Sequence, residues 1–396
     1  MGAIKRQGIN NTIITYTGIF IGFLNTLIIM PAVLPKEELG LTRVLYSVAA
    51  LFATLFPVGL AGATIKFFPR FRDPASGHHG FLRLLILIAV VCFIIFSTIG
   101  FLMKGVIFSW YDKSPLLLDF FAWVLPMSLC IGFVQLLNVY CFSLFRSTFP
   151  VFLNEIFIRL AMMALLALYF LHILSFNTFV ICYAGTFLVQ VLLLFLFLAY
   201  IDTGLKHKVD MVFMKKQNKR EIFLFLLMVA PASLASAALK LIDASMVGSD
   251  LNKGSPLADA GIYGIAATIA SIIEAPSNAL IRIADTKISD AIKRDDKEYI
   301  DKIYRTSTRI LMIIGGWLFI GVAANIKAGL QLIPGNFISG YYVVLIIGAG
   351  AFVNMATGIN SSLVFYSPRY KQGTLLLLGL IFLTIGLNYF LIPRYG

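Results

Sequence analysis

The sequence predicts an all-α membrane protein, a polytopic helical bundle of about eleven spans. Of its 396 residues, 59% are hydrophobic and 13% are charged, whereas soluble domains carry roughly 25% charged residues. Apolar runs recur along the whole chain. They are longer than the roughly 10-residue alternating strands of a membrane β-barrel. Helices are favoured because each satisfies its own backbone hydrogen bonds in lipid.

The spans follow from the length of the apolar runs, since a helix needs about 20 residues to cross the hydrocarbon core. The predicted spans are residues 11–34, 42–65, 81–103, 119–144, 151–172, 176–200, 222–248, 258–281, 310–332, 339–365 and 373–392. The charged stretch 285–309 predicts an amphipathic helix on the membrane surface between spans eight and nine. Because the chain stops soon after span eleven, we expect the natural protein to continue into at least a twelfth helix.

The distribution of Lys and Arg predicts the orientation of the chain. The basic loops contain Lys66, Arg70, Arg72, Arg146, the segment 206–220, the segment 282–309, Arg369 and Lys371. These loops share a side with Lys5 and Arg6, so the positive-inside rule places the N-terminus in the cytoplasm. The net charge of +13 is therefore mainly a topology signal and an attraction to anionic lipid. A nucleic-acid partner is not expected.

The basic connector 206–220 divides the chain into a predicted N-terminal lobe, 1–205, and a C-terminal lobe, 221–396. In each lobe an acidic residue and a glycine precede the second long apolar helix. Glu38-Leu39-Gly40-Leu41 aligns with Asp259-Ala260-Gly261-Ile262 at an offset of 221, since 261 minus 40 is 221. This similarity predicts two pseudo-symmetric six-helix lobes, the arrangement in which many secondary transporters place a substrate site between repeats.

Five short sequence segments occur in a characteristic order, namely Lys5–Thr12, Glu38–Arg43, Leu241–Asp243, Ala260–Gly264 and Leu387–Pro393. Through them the chain resembles, over nearly its whole length, the oligosaccharide flippases of the multidrug/oligosaccharidyl-lipid/polysaccharide exporter superfamily. Within that superfamily it resembles the polysaccharide-biosynthesis and O-antigen flippase branch. That family has twelve or more helices, so the second lobe is expected to be incomplete here.

The resemblance implies a multi-pass protein of the bacterial cytoplasmic (inner) membrane. Its implied function is to move polyprenyl-diphosphate-linked oligosaccharide across that membrane by alternating access, for surface polysaccharide and lipopolysaccharide biosynthesis. Implied partners are membrane lipid and the polysaccharide polymerase and assembly proteins. H⁺ and Na⁺ are the candidate coupling ions, and no cofactor is implied.

Three basic residues inside the spans are candidates for binding the anionic headgroup: Arg43, Arg159 and Lys240. An ionised side chain at a helix centre costs about 2.5–3.5 kcal/mol on insertion scales, so such residues tend to face a cavity or the bundle. Guanidinium suits phosphate because it donates two parallel hydrogen bonds. Structural alternatives stay open, namely interfacial snorkelling of Arg43 and local ion pairs for Arg159 and Lys240.

Three acidic residues are candidate cavity or coupling carboxylates: Glu155, Asp243 and Glu274. Glu155 lies four residues before Arg159 and Asp243 three residues after Lys240, which also suits local pairing. Glu274 has no basic residue within one turn, which makes it the best single candidate for a proton-binding site; a Lys or Ser partner on another helix is the alternative. Asn25 and Asn138 are candidates for hydrogen bonds to sugar, although amides in spans also join neighbouring helices.

Two other functions are weighed against the flippase. A cation-coupled multidrug exporter of the same superfamily is disfavoured because span one carries no acidic residue and Glu155 lies beside Arg159. A membrane glycosyltransferase, polymerase or ligase is expected to need a long outer loop with clustered catalytic side chains. The longest predicted outer loop, about 106–119, holds no such cluster, and the four His and four Cys show no metal-ligand spacing. We therefore expect no enzyme activity.

Overall fold

A computed structural model of the chain describes residues 2–55, 60–73, 75–201, 254–293, 296–360 and 370–395, with short pieces at 207, 209–210, 212–213, 220–221, 231, 234–235, 238–239, 241–249, 251 and 363–364. All regular secondary structure in these residues is helical. The predicted all-α class is confirmed.

The long helices alternate with short helical turns. They are α1 (Gly2–Leu24), α2 (Lys36–Leu55), α3 (Leu60–Phe71), α4 (Phe81–Leu102), α5 (Val124–Ser143), α6 (Ile158–Phe170), α7 (Phe176–Ile201), α8 (Pro256–Lys293), α9 (Lys297–Leu332), α10 (Tyr341–Ala356) and α11 (Tyr370–Tyr395). The shorter pieces are Met30–Val33, Lys104–Ser109, Pro115–Phe120 and Thr148–Phe152, with π turns at Asn25–Ile29 and Leu153–Phe157 and 3₁₀ turns at His78–Gly80, Phe121–Trp123 and Ile338–Gly340.

The described residues contain ten helices that are long and apolar enough to cross a membrane. They are Ile9–Val33, Lys36–Leu55, His78–Leu102, Pro115–Ser143, Thr148–Phe170, Phe176–Ile201, Pro256–Ser277, Lys297–Leu332, Ile338–Ala356 and Leu375–Arg394. Ten of the eleven predicted spans thus have a helix. The predicted seventh span, 222–248, lies largely outside the described residues.

The prediction of a separate surface helix at 285–309 is wrong. Its first part belongs to α8 and its second part to α9. At 1.5 Å per residue, the 38 residues of α8 measure about 57 Å, which is nearly twice the thickness of the hydrocarbon core. Apart from Asp296, which caps α9, the charged residues of this stretch that the structure describes therefore lie on two helices that extend beyond the core.

Helix packing falls into two groups. In the first half of the chain, α5 packs against α2, α3 and α7, and α7 also packs against α6. In the second half, α8, α9 and α10 pack against one another. Extensive packing between α2 and α8 joins the groups. The boundaries at 205 and 221 stay predictions, because most of the connector lies outside the described residues.

The helices α2 and α8 cross where two glycines remove side chains from the contact. A Cβ on Gly40 would overlap the carbonyl oxygen of Leu257, and one on Gly261 would lie 2.7 Å from the carbonyl oxygen of Lys36. These contacts are reciprocal, because 257 and 261 are 36 and 40 plus the offset of 221. Equivalent residues meet in this way at a two-fold axis. The pseudo-symmetry axis therefore passes through this crossing.

Further contacts between the two halves lie near the same end of the bundle. Lys36 donates from Nζ to the carbonyl oxygen of Asn336 at 2.8 Å. Tyr111 donates from its hydroxyl to the carbonyl oxygen of Ser245 at 3.2 Å. The basic-loop pattern predicts that this end faces outside, and we call it the outer end. The halves are in direct contact there.

Candidate functional site

The side chain of Arg43 lies at the junction of α2 and α8, about one turn from the glycine crossing. It donates from Nη2 to the hydroxyl oxygen of Thr268 at 3.2 Å, and this residue lies 225 positions away in sequence. Thr268 in turn donates to the carbonyl oxygen of Gly264 at 2.8 Å. Arg43 therefore turns toward the opposite half of the molecule instead of extending to the membrane interface.

The symmetry of the crossing is broken at this arginine. Adding the offset of 221 to 43 gives 264, where the second half has a glycine. A Cβ on Gly264 would lie 3.0 Å from Nε of Arg43. Two arginines related by the axis would repel each other. Glycine at the equivalent position leaves room for one guanidinium to cross the axis.

The guanidinium of Arg43 has no carboxylate partner among the residues that the structure describes. Its Nε is buried and makes no hydrogen bond within that part of the chain. Tyr46 and Tyr183 lie near enough to interact with its charge, and Phe187 packs against both rings, with centroid distances of 6.0 and 5.6 Å. The charge of Arg43 thus lies within electrostatic range of two tyrosines whose rings pack on Phe187.

Arg159, unlike Arg43, has a carboxylate partner in the described residues. Its Nη1 lies 2.9 Å from the carboxylate of Glu155 and donates to the carbonyl oxygen of the same residue at 2.9 Å. The guanidinium packs over α1, where a Cβ on Gly18 or Gly22 would lie within 2.7 Å of it. The local ion pair considered from the sequence is therefore formed, and the charge of Arg159 is compensated.

The contact between α1 and the fifth span is made at two π turns, Asn25–Ile29 and Leu153–Phe157. Asn25, which is 4% exposed, donates from Nδ2 to the carbonyl oxygen of Arg159 at 2.7 Å. Asn138 is 7% exposed on α5 and lies in the core of the first half. Neither amide contacts Arg43 in the hydrogen bonds of the described residues, and Asn25 joins two helices.

The acidic candidates of the second half accept hydrogen bonds from neutral groups. Asp243 accepts from the hydroxyl of Tyr263 at 3.2 Å and from Nδ2 of Asn388 at 2.8 Å. Glu274 accepts from Nδ2 of Asn354 at 3.2 Å. These contacts link Asp243 to α8 and α11, and Glu274 to α10. Lys240, the third basic candidate, lies outside the described residues.

An apolar groove of about 670 Å³ lies between α1 of the first half and α8 and α9 of the second. Its walls include Leu27, Ile272, Trp317 and Leu332. Trp317 and Leu332 are 15 residues apart on α9, so the groove extends about 22 Å along the helix. Trp317 and Leu332 are 76% and 84% exposed, so the groove opens sideways. Ile272 lies one turn from Thr268 on the same face of α8.

Several residues that make long-range contacts are missing from the candidates chosen by sequence. Thr268 and Gly264 form part of an i, i+4 stripe on α8, but only the helix crossing identifies Arg43 as their partner. Glu38 accepts a hydrogen bond from the hydroxyl of Tyr169 at 3.1 Å, a contact across 131 residues. No local pattern indicates such long-range pairs.

No protein-family model matches the chain, and no curated protein matches it. A solved structure that is similar is described as the inward-facing conformation of a multidrug resistance MATE family transporter of the MOP superfamily. The TM-score is 0.67 at 16% sequence identity, over 98% of this chain and 91% of that chain. The chain has the fold of a MATE transporter. The likeness agrees with the resemblance at the level of the superfamily fold.

Proposed function

We propose that this protein is a flippase that carries polyprenyl-diphosphate-linked oligosaccharide across the membrane by alternating access. The observation that carries the proposal is the Arg43 guanidinium, which lies between the halves with no carboxylate partner in the described residues. An uncompensated cation within a membrane is costly and marks a candidate functional site. A diphosphate would supply the missing negative charge and accept paired hydrogen bonds.

The apolar groove supports a lipid-linked cargo. A polyprenyl tail would lie along the walls near Ile272 while its diphosphate approaches Arg43 over the adjoining turn of α8. The groove opens to the lipid-facing side of α9, so the tail need not leave lipid. Tyr46 and Tyr183, which lie within electrostatic range of the guanidinium, would offer rings and hydroxyls to sugar.

Alternating access is supported by the contacts at the outer end. The Gly40–Gly261 crossing and the bond from Lys36 to Asn336 close this end. Opening it requires the halves to separate at these contacts. The similar solved structure is inward-facing by its own description, which fits closure at the outer end.

A cation-coupled multidrug exporter is the second candidate. Two observations favour it: the similar solved structure is described as a multidrug resistance transporter, and Asp243 accepts hydrogen bonds from Tyr263 and Asn388. In that function Asp243 or Glu274 would bind H⁺, Na⁺ or a cationic drug. Either carboxylate also remains a candidate coupling site in the flippase. The alternative of a glycosyltransferase, polymerase or ligase gains no support from the geometry of the described residues.

The test measures translocation of a fluorescent polyprenyl-diphosphate saccharide by the protein in liposomes, comparing wild type with Arg43→Ala and Arg43→Lys. A hydrogen bond to a charged group contributes about 1.5–3 kcal/mol, so Arg43→Ala should weaken substrate binding and lower translocation at subsaturating substrate about 10- to 150-fold. Lys should retain part of the activity as a point charge. Arg83→Ala is the matched control, because Arg83 is exposed on α4.

Unchanged translocation in Arg43→Ala would reject the anion-binding role of this residue. If wild-type protein moves no lipid-linked saccharide and instead moves cationic drugs, with loss of drug transport in Asp243→Asn, the exporter is the correct function.

A further inference from the structure

A second pocket, of about 380 Å³, lies in the first half of the molecule on the predicted cytoplasmic side. It is bounded by α1, by the start of the fifth span and by α7. Its lining includes Gln7, Ile14, Arg146, Phe149, Phe152 and Phe197. None of these residues takes part in the Arg43 site, so the pocket is separate from the proposed transport site.

The mouth of the pocket is a fixed polar loop. Gln7 donates from Nε2 to the carbonyl oxygen of Phe145 at 2.9 Å. Ser147 donates from its hydroxyl to Oε1 of Gln7 at 3.3 Å and accepts from Nδ2 of Asn11 at 2.8 Å. These bonds attach the connection between the fourth and fifth spans to α1. They hold the backbone on both sides of Arg146 in place.

Arg146 places a positive charge at this mouth. The residue is exposed, and no carboxylate contacts its guanidinium within the part of the chain that the structure describes. Arg72 adds a second guanidinium nearby, 4.6 Å from the ring centroid of Phe145. The connection between two membrane spans lies at the level of lipid headgroups. An anionic headgroup supplies net negative charge at that level, whereas the phosphate of a zwitterionic headgroup is neutralised by its own cation.

Below the charge the pocket is aromatic and aliphatic. Phe149 and Phe197 lie with ring centroids 4.6 Å apart and an interplanar angle of 33°. Phe152 is 36% exposed, and Ile14 completes the wall from α1. Phe152 lies four residues after Thr148, where the helix begins, so the helical part of the apolar wall extends about 6 Å into the membrane. This length suits the first part of an acyl chain.

We propose that this pocket binds one anionic phospholipid of the surrounding leaflet. Its phosphate is held by Arg146, and one acyl chain lies against Phe149, Phe152 and Phe197. The charged mouth at the headgroup level and the apolar wall beneath it match the two parts of a phospholipid. The site does not depend on the transport function, since it uses neither the groove nor the Arg43 junction.

The test is native mass spectrometry of the purified full chain in detergent, titrated with phosphatidylglycerol or with phosphatidylcholine. Wild type is compared with Arg146→Gln, Arg146→Lys and Ile14→Trp, and Arg83→Gln serves as a control with the same change of charge. Arg146→Gln should lower phosphatidylglycerol binding about fivefold, the effect of one basic residue near anionic lipid. Lys should retain most of the binding, and Arg83→Gln should leave it unchanged.

Ile14→Trp changes no charge but fills the apolar part of the pocket, and it should lower binding by a similar factor. It keeps the test decisive if Arg146→Gln does not fold. Equal binding of the two lipids by wild type, or an equal loss in Arg83→Gln, would overturn the proposal in favour of diffuse surface attraction. Displacement of the lipid by millimolar inorganic phosphate would show that the site is a free-anion site, and would also overturn it.

Discussion

Replacing Arg43 by Met should stabilise the protein while it weakens binding of the anionic cargo. The insertion cost of an arginine in a span is about 2.5–3.5 kcal/mol, and here one hydrogen bond, to Thr268, offsets it in the described residues. Such a bond is worth about 1.5–3 kcal/mol. Met keeps an apolar stem over Gly264 without the charge. We expect the free energy of unfolding to rise by about 1 kcal/mol.

Arg159→Met is the matched comparison and should have the opposite sign. The replacement removes both bonds to Glu155 and leaves that carboxylate, 26% exposed, without its partner. Breaking a buried pair costs about 3–5 kcal/mol, and partial exposure reduces this to about 2 kcal/mol. Thermal unfolding in mild detergent, followed by tryptophan fluorescence, measures both variants. Equal destabilisation of the two variants would show that the charge of Arg43 stabilises the fold, contrary to this prediction.

Two further predictions concern contacts between the halves. Gly40→Ala places a methyl group against the opposing backbone and should lower the free energy of unfolding by about 1–3 kcal/mol. Gly379→Ala, which meets open space, should have no such effect, and an equal loss in both would reject the close crossing. The two hydrogen bonds from Arg70 hold the pKa of Glu221 below its ordinary value. Their contribution is full above about pH 4.5 and is lost as the pH falls through the lowered pKa. A stability difference between wild type and Glu221→Gln that persists unchanged to about pH 2 would contradict this assignment.

The membrane spans could be predicted because the tendency to span a membrane is a local property. A run of about 20 apolar residues crosses lipid as a helix wherever it occurs in the chain, and ten such helices are present in the described residues. The stretch 285–309 was predicted wrongly for the same local reason. Its charge pattern indicates solvent exposure, but it does not distinguish a separate surface helix from the extended ends of α8 and α9.

Among the candidate site residues, partners on the same helix could be predicted from the sequence, whereas partners on other helices could not. The pair of Glu155 and Arg159 follows from a spacing of four, since residues one turn apart share a helix face. The partner of Glu274 could not be named, because Asn354 lies on another helix 80 residues later. The roles of Glu155, Arg159 and Glu274 in transport stay predictions.

The sequence by itself determined the all-helical membrane class, the positions of most spans and the repeat that aligns Gly40 with Gly261. Only the tertiary structure decided that these glycines touch and that Arg43, unlike Arg159, lies between the halves without a countercharge in the described residues. The physical reason is that hydropathy acts along one segment, whereas the electrostatic state of a buried charge depends on the helices packed around it.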